Sequence, residues 1–140
     1  MDLIHAPLSH PDRGVLEILV PVDRHTLVKR RWRAIAEDGR EFGFDLAEPL
    51  HDGAPFFHVD GTTYVIAQKP EPVIEISLST PAESARIGWL IGNLHFSLEV
   101  RGDFVRVADD PALSQMLIRE RIPYAVAYRV FRPMRQAHVH

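Results

Sequence analysis

Eight histidines and no cysteine in 140 residues confine any metal chemistry in this chain to nitrogen and oxygen ligands. Their placement separates them. His5 and His10 fall in a polar, proline-containing start, His51 stands beside Asp52-Gly53, His25 precedes a strand and His58 falls within one. Each of these has an ordinary role as a solvated, turn or hydrogen-bonded imidazole. His95 differs, because it leaves the end of an apolar helix just after Gly92-Asn93. It alternates with Ser97 and Glu99 against an apolar Phe96, Leu98 and Val100, so the spacing predicts a ring pointing away from its own core. One surface imidazole supplies one ligand. A two-fold interface at that surface would supply two, and the terminal pair His138 and His140 could bring more.

Other chemistry is excluded by what is missing. There is no glycine-rich phosphate loop, no G-x-S-x-G and no H-E-x-x-H, and without cysteine there is no thiol nucleophile. Serines, histidines and acids are present, but no pattern places them together as a triad, so an enzyme is not expected. A net charge of -3 argues against a nucleic-acid partner. The one basic run, Lys29-Arg30-Arg31-Trp32-Arg33, reads as the solvated face of a strand. No membrane span and no secretory signal are recognisable, which predicts a cytoplasmic protein.

The elements that must position His95 follow from turn and cap signals. Residues 1-13 are polar with two prolines and read as a flexible N-terminal arm. Residues 14-70 read as a small all-β domain, with hairpins at Asp38-Gly39 and Asp60-Gly61 between alternating apolar runs. Pro70-Glu71-Pro72 implies a stiff extended link that permits neither helix nor central strand. Residues 71-134 then follow the order βαββαβ. Ile74, Ile76 and Leu78 alternate, and Thr80-Pro81-Ala82-Glu83 opens a helix as a capping box. Ile87, Leu90, Ile91 and Leu94 form its apolar stripe, and Gly92-Asn93 are the residues expected to close it. A hairpin across Arg101-Gly102-Asp103 comes next. A second helix starts at Asp110-Pro111, buries Leu113, Met116 and Leu117 and is stopped by Pro123, and a last strand runs from Tyr124 to Phe131. The fold class is therefore α+β, a small all-β domain followed by a ferredoxin-like sandwich. Residues 135-140 form a short histidine-containing tail. Each half is small enough for its core to be marginal, which a homodimer would remedy.

These residues resemble the UreE family of urease accessory proteins. The family's helix ending in Gly-Asn-x-His is matched by Gly92-Asn93-Leu94-His95, its Asp-x-x-Leu-x-x-Met-Leu helix by the segment from Asp110 to Leu117, and its Phe-x-Pro by Phe131-Arg132-Pro133. Asp23-Arg24, the basic run, Asp38-Gly39, Asp52-Gly53 and the Pro-Glu-Pro link occur in the same order. The resemblance implies a homodimer in which His95 of each subunit meets at the two-fold axis and binds one Ni²⁺, with His138 and His140 as accessory ligands. It implies a metallochaperone without turnover, which passes nickel to the urease accessory GTPase and the urease apoprotein assembly complex, and whose first domain contacts proteins. The same nitrogen ligands can hold Zn²⁺ comparably and Cu²⁺ more tightly. Departures from the family include Leu94 where many members have Arg, and a short tail, which implies low capacity. Ala108-Asp109-Asp110 lacks the histidines that precede the second helix elsewhere, so a separate copper-type site is not expected. The competing reading is a protein-interaction module whose metal binding is incidental.

Overall fold

Turn chemistry organises the first half of the chain. In the computed structural model, which describes residues 1–9 and 16–134, Asp60 and Gly61 take φ of 49° and 75°. Both central residues of a tight turn are then left-handed, which matches the twist of a hairpin. They join β5 (Pro55–Val59) to β6 (Thr62–Gln68), which also pairs in parallel with β2 (Leu16–Val22). Around Asp38-Gly39, β3 (Arg31–Ile35) turns into β4 (Glu41–Asp45) with Arg31 opposite Asp45 and Ile35 opposite Glu41. The two sheets, β2-β6-β5 and β1-β4-β3, where β1 is Asp2–Ile4, share one core. Its centre is aromatic: Phe42 meets Phe56 edge-on with centroids 5.0 Å apart, and Tyr64 at 5.1 Å. One turn of helix, α1 (Arg24–Leu27), carries His25 and is capped by Asp23, which accepts the Thr26 N–H.

The start of the chain corrects an expectation. Residues 1-13 read as a flexible arm, yet β1 pairs in parallel with β4, Ile4 enters the core, and Asp2 accepts a 2.8 Å bond from Arg40. Arg40 in turn lies over the rings of Phe57 and Tyr64. The partners are some forty residues away, so nothing local announces the strand. Residues 10–15 lie outside the description.

By its contacts the chain divides into two units, Met1–Lys69 and Pro70–His140. The second contains β7 (Glu71–Ser77), α2 (Pro81–Asn93), β8 (Glu99–Arg101), β9 (Phe104–Ala108), α3 (Pro111–Arg119) and β10 (Ala125–Arg129). The sheet order is β10-β7-β9-β8, with every pairing antiparallel. That is the ferredoxin-like arrangement. Ile87 and Ile91 of α2 and Leu113, Met116 and Leu117 of α3 pack on Ile74, Ile76, Val105 and Val107. Each such side chain contributes about 1.5–3 kcal/mol by leaving water.

Two prolines behave differently from expectation. Pro72 sits inside β7, a central strand, opposite Tyr128 of β10. Its carbonyl accepts the Asp109 N–H on the β9 side, so its missing donor also faces that side, just past the last β9 pair, Val73 with Ala108. The one bond forgone is the reciprocal one to Asp109 at the very end of the ladder, and the bonds of the paired residues are kept. Nor does Pro123 stop the second helix. α3 ends at Arg119, where Arg121 turns left-handed at φ 58° and Ile122 N–H returns to the Leu117 carbonyl.

Candidate metal centre

The helix that delivers His95 is built from local signals. Thr80 caps its start by accepting the Glu83 N–H at 3.1 Å, Pro81 takes the first helical position, and Ile87 and Ile91 bury its inner face. Its end differs from the expected closure by Gly92-Asn93, since both are helical and Leu94 is the cap. The left-handed residue is His95 itself, at φ 63°. His95 N–H donates to the Gly92 carbonyl at 2.9 Å and Phe96 N–H to the Ile91 carbonyl at 3.3 Å. These are the two bonds of a Schellman motif, and Phe96 packs on the core cluster that contains Ile91. The reversal throws His95 outward and leaves it exposed.

The alternation expected after His95 does not form. Residues 96–98 are not strand, and in β8 the phase is inverted: Glu99 is 7% exposed while Val100 is 53% exposed. The cause is charge pairing on the sheet face opposite the helices. Arg106 of β9, itself 5% exposed, lies opposite both Glu99 and Glu75. Its Nε and Nη2 donate to Glu75 Oε2 at 3.0 and 2.8 Å, and Nη1 reaches Glu99 Oε1 at 3.5 Å. Arg101 meets Glu99 Oε2 at 2.9 Å. Sequence patterning missed this cluster. Its signal was the hairpin register, because Gly102 at φ 62° sets Arg101 opposite Phe104 and therefore Glu99 opposite Arg106.

The same carboxylate holds the end of the described chain. The last strand stops at Arg129, and the expected strand residue Phe131 instead leaves the sheet edge and is buried outside the helix-side core. Arg132 N–H donates to Glu99 Oε1 at 3.0 Å, and Met134 N–H to the Leu98 carbonyl at 2.8 Å. Since β10 and β8 are opposite edges of the sheet, residues 130–134 run from one edge to the other. His138 and His140, like His10, lie outside the described residues.

The remaining histidines hold ordinary positions. His5 Nδ1 donates to the Asp45 carbonyl at 3.0 Å, His58 Nδ1 is 2.9 Å from Thr63 Oγ1, and His25 and His51 are exposed. Among the described residues no three His, Asp or Glu side chains converge as a metal cage. No described helix is long and apolar enough to cross a membrane.

Comparison with known proteins gives this geometry a context. The family model described as the UreE urease accessory protein, C-terminal domain, matches residues 71–140. A urease accessory protein UreE of Pseudomonas fluorescens (strain SBW25) is 29% identical over 120 residues, 84% of this chain and 71% of its own length. Its counterpart in Azorhizobium caulinodans is 32% identical over 130 residues, 91% of this chain and 62% of its own. That of Nitrosococcus oceani is 32% identical over 93 residues, 65% and 56% respectively. The chain thus spans less than two thirds of the length of the latter two. With the family model covering half of the chain, and the βαββαβ unit and its helix-terminal His95 in the matched half, the chain belongs to the UreE family of urease accessory proteins.

Proposed function

We propose that this chain is a cytoplasmic metallochaperone that carries Ni²⁺ for assembly of the urease active site. His95 is the central ligand, shared with His95 of a second copy across a two-fold axis, and His138 and His140 are accessory ligands. The observation that carries the reading is the bond from Met134 N–H to the Leu98 carbonyl. It holds the root of the tail beside a residue only three positions after His95. At about 3.5 Å per residue, the three-residue stretch spans roughly 10 Å and the four residues from Met134 to His138 roughly 14 Å, so the tail has the reach.

The role in urease maturation is supported by membership of a family whose members are named as urease accessory proteins. Such a chain is an accessory factor rather than an enzyme, and its cargo is released instead of transformed. Nickel accepts imidazole, and a single exposed imidazole needs ligands from elsewhere, which a symmetric partner and a tail can supply. Ligands drawn from two subunits, without thiolates, can detach one at a time, as a donor of metal requires. Recipients are the urease accessory GTPase and the urease apoprotein assembly complex, with the N-terminal unit as the protein-contacting module. Zn²⁺ and Cu²⁺ compete for the same nitrogens.

Nickel calorimetry with the oligomeric state measured in parallel tests the reading. About one Ni²⁺ per dimer is expected, and His95→Ala should abolish the high-affinity site. Unchanged nickel binding in that variant would leave only the interaction-module reading.

A further inference from the structure

We infer that Glu99 is a positioning residue for nickel capture: its carboxylate fastens residues 131–134 across the sheet and so sets the point from which His138 and His140 approach His95. The inference rests on the reading of those histidines as accessory ligands.

The geometry divides the work of the two carboxylates, Glu99 buried and Glu75 half-buried. Glu75 meets Arg106 through two bonds of 3.0 and 2.8 Å, and so already compensates the buried guanidinium. Glu99 approaches Arg106 at only 3.5 Å, while its bond from the Arg132 N–H is 3.0 Å. The shorter contact of Glu99 Oε1 is therefore to the crossing segment. Its other oxygen is held by Arg101 at 2.9 Å, which leaves the carboxylate little freedom to turn away. A backbone N–H bonded to an ionised carboxylate is one of the stronger kinds of hydrogen bond, and here it is partly buried. Two residues later, Met134 N–H adds the bond to Leu98, the residue before Glu99. Glu99 and its neighbour thus clamp the segment at two consecutive donors, with the buried Phe131 behind them.

The consequence is a matter of tether length. Clamped, the covalent path to His138 starts at Met134 and is four residues long. Released, it starts at Arg129, where β10 ends, and is nine residues long. It also starts three strand spacings away, roughly 14 Å, at the other edge of the sheet. Effective concentration falls as about the −3/2 power of tether length, so length alone weakens the tail's contribution by roughly 3-fold, and the displaced origin adds to that.

The test uses the full chain, with Ni²⁺ alone as the probe. Glu99→Ala and Met134→Pro, the latter at an exposed side chain that cannot disturb the core, should each weaken nickel binding by roughly 3- to 10-fold. Glu99→Ala should also expose the Arg132 and Met134 amides to hydrogen exchange, and Met134→Pro, which has no amide hydrogen at position 134, should expose that of Arg132. Glu99→Gln keeps an acceptor for the Arg132 N–H and should restore most of the affinity. In a chain ending at Met134, which binds nickel less tightly, neither Glu99→Ala nor Met134→Pro should weaken it further. Equal weakening in the full and shortened chains would overturn the inference, because Glu99 would then act on the fold or on the His95 turn. So would unchanged affinity of both variants in the full chain while shortening weakens binding, and in that case the tail-ligand reading survives. If shortening changes nothing, the tail-ligand reading itself fails and the inference falls with it. If Glu99→Ala does not fold, Met134→Pro decides.

Discussion

Replacing His95 by glycine should leave the protein slightly more stable while removing its nickel site, and replacement by alanine should remove the site without the gain. The separation comes from the helix end. His95 holds φ 63°, a conformation that costs a residue with a Cβ about 1–2 kcal/mol. Glycine escapes that cost but gives up about 0.5–1 kcal/mol through the extra freedom of its unfolded chain. The net change is a gain of roughly 0.5 kcal/mol. Alanine keeps the strain and, since the imidazole is exposed, loses little contact. The glycine variant should therefore exceed the alanine variant by about 0.5–1 kcal/mol, a few degrees in thermal midpoint at this size. Urea unfolding followed by the amide NMR signals of α2 reads the second unit, where the change lies. Nickel then provides the functional contrast. At a hundred times its dissociation constant a native-state ligand stabilises by about 2.7 kcal/mol, so nickel should raise the wild-type midpoint and leave both variants unmoved. A glycine variant less stable than the alanine variant would refute the Schellman geometry, and a nickel-induced rise in either variant would refute the role of His95.

Three other outcomes are expected. Arg106→Ala leaves the buried Glu99 with Arg101 and the half-buried Glu75 with Arg129 as their remaining cations and should cost about 1.5–3 kcal/mol in urea unfolding; a loss under about 1 kcal/mol would mean that the pair is solvated. Thr80→Ala removes the cap of α2 and should cost about 1 kcal/mol by the same measurement, with Thr80→Ser nearly neutral. Tyr64→Phe tests the first unit. The Tyr64 hydroxyl donates to Asp38, which holds that carboxyl below its ordinary 3.8, and the same bond raises the Tyr64 phenol above 10.0. A depressed carboxyl gives stability that is present above pH 3.8 and lost as pH falls through the folded-state value. The phenylalanine variant should therefore show an Asp38 carboxyl titrating closer to 3.8 by NMR and a shallower loss of stability on acidification. An unchanged Asp38 midpoint would contradict the bond.

The legible features were those decided within a few residues of chain. Asp60-Gly61 makes a hairpin because those two residues tolerate positive φ, and Thr80 starts a helix because its hydroxyl reaches the Glu83 N–H. The order of these local events carried the βαββαβ topology, and with it the exit of His95 from α2. The helix end was half legible. Gly92-Asn93 marked the region, but the left-handed turn falls two residues later, because Phe96 must land on the core for the motif to close.

Local sequence decided most of the strands, the starts of the two longer helices, the hairpin turns, and one histidine at the end of an apolar helix. Tertiary structure alone decided the burial of Glu99, which alternation had turned outward, because that depends on Arg106 across the hairpin and on the Arg132 amide arriving from thirty-three residues away. It also decided that Asp2–Ile4 is a strand, that Pro72 can sit in a central one, and that the tail begins beside Leu98. The physical reason is common to all four. Turns and caps are settled by neighbours along the chain, whereas a buried charge, a parallel pairing or a missing donor is tolerated only according to what distant segments bring against it.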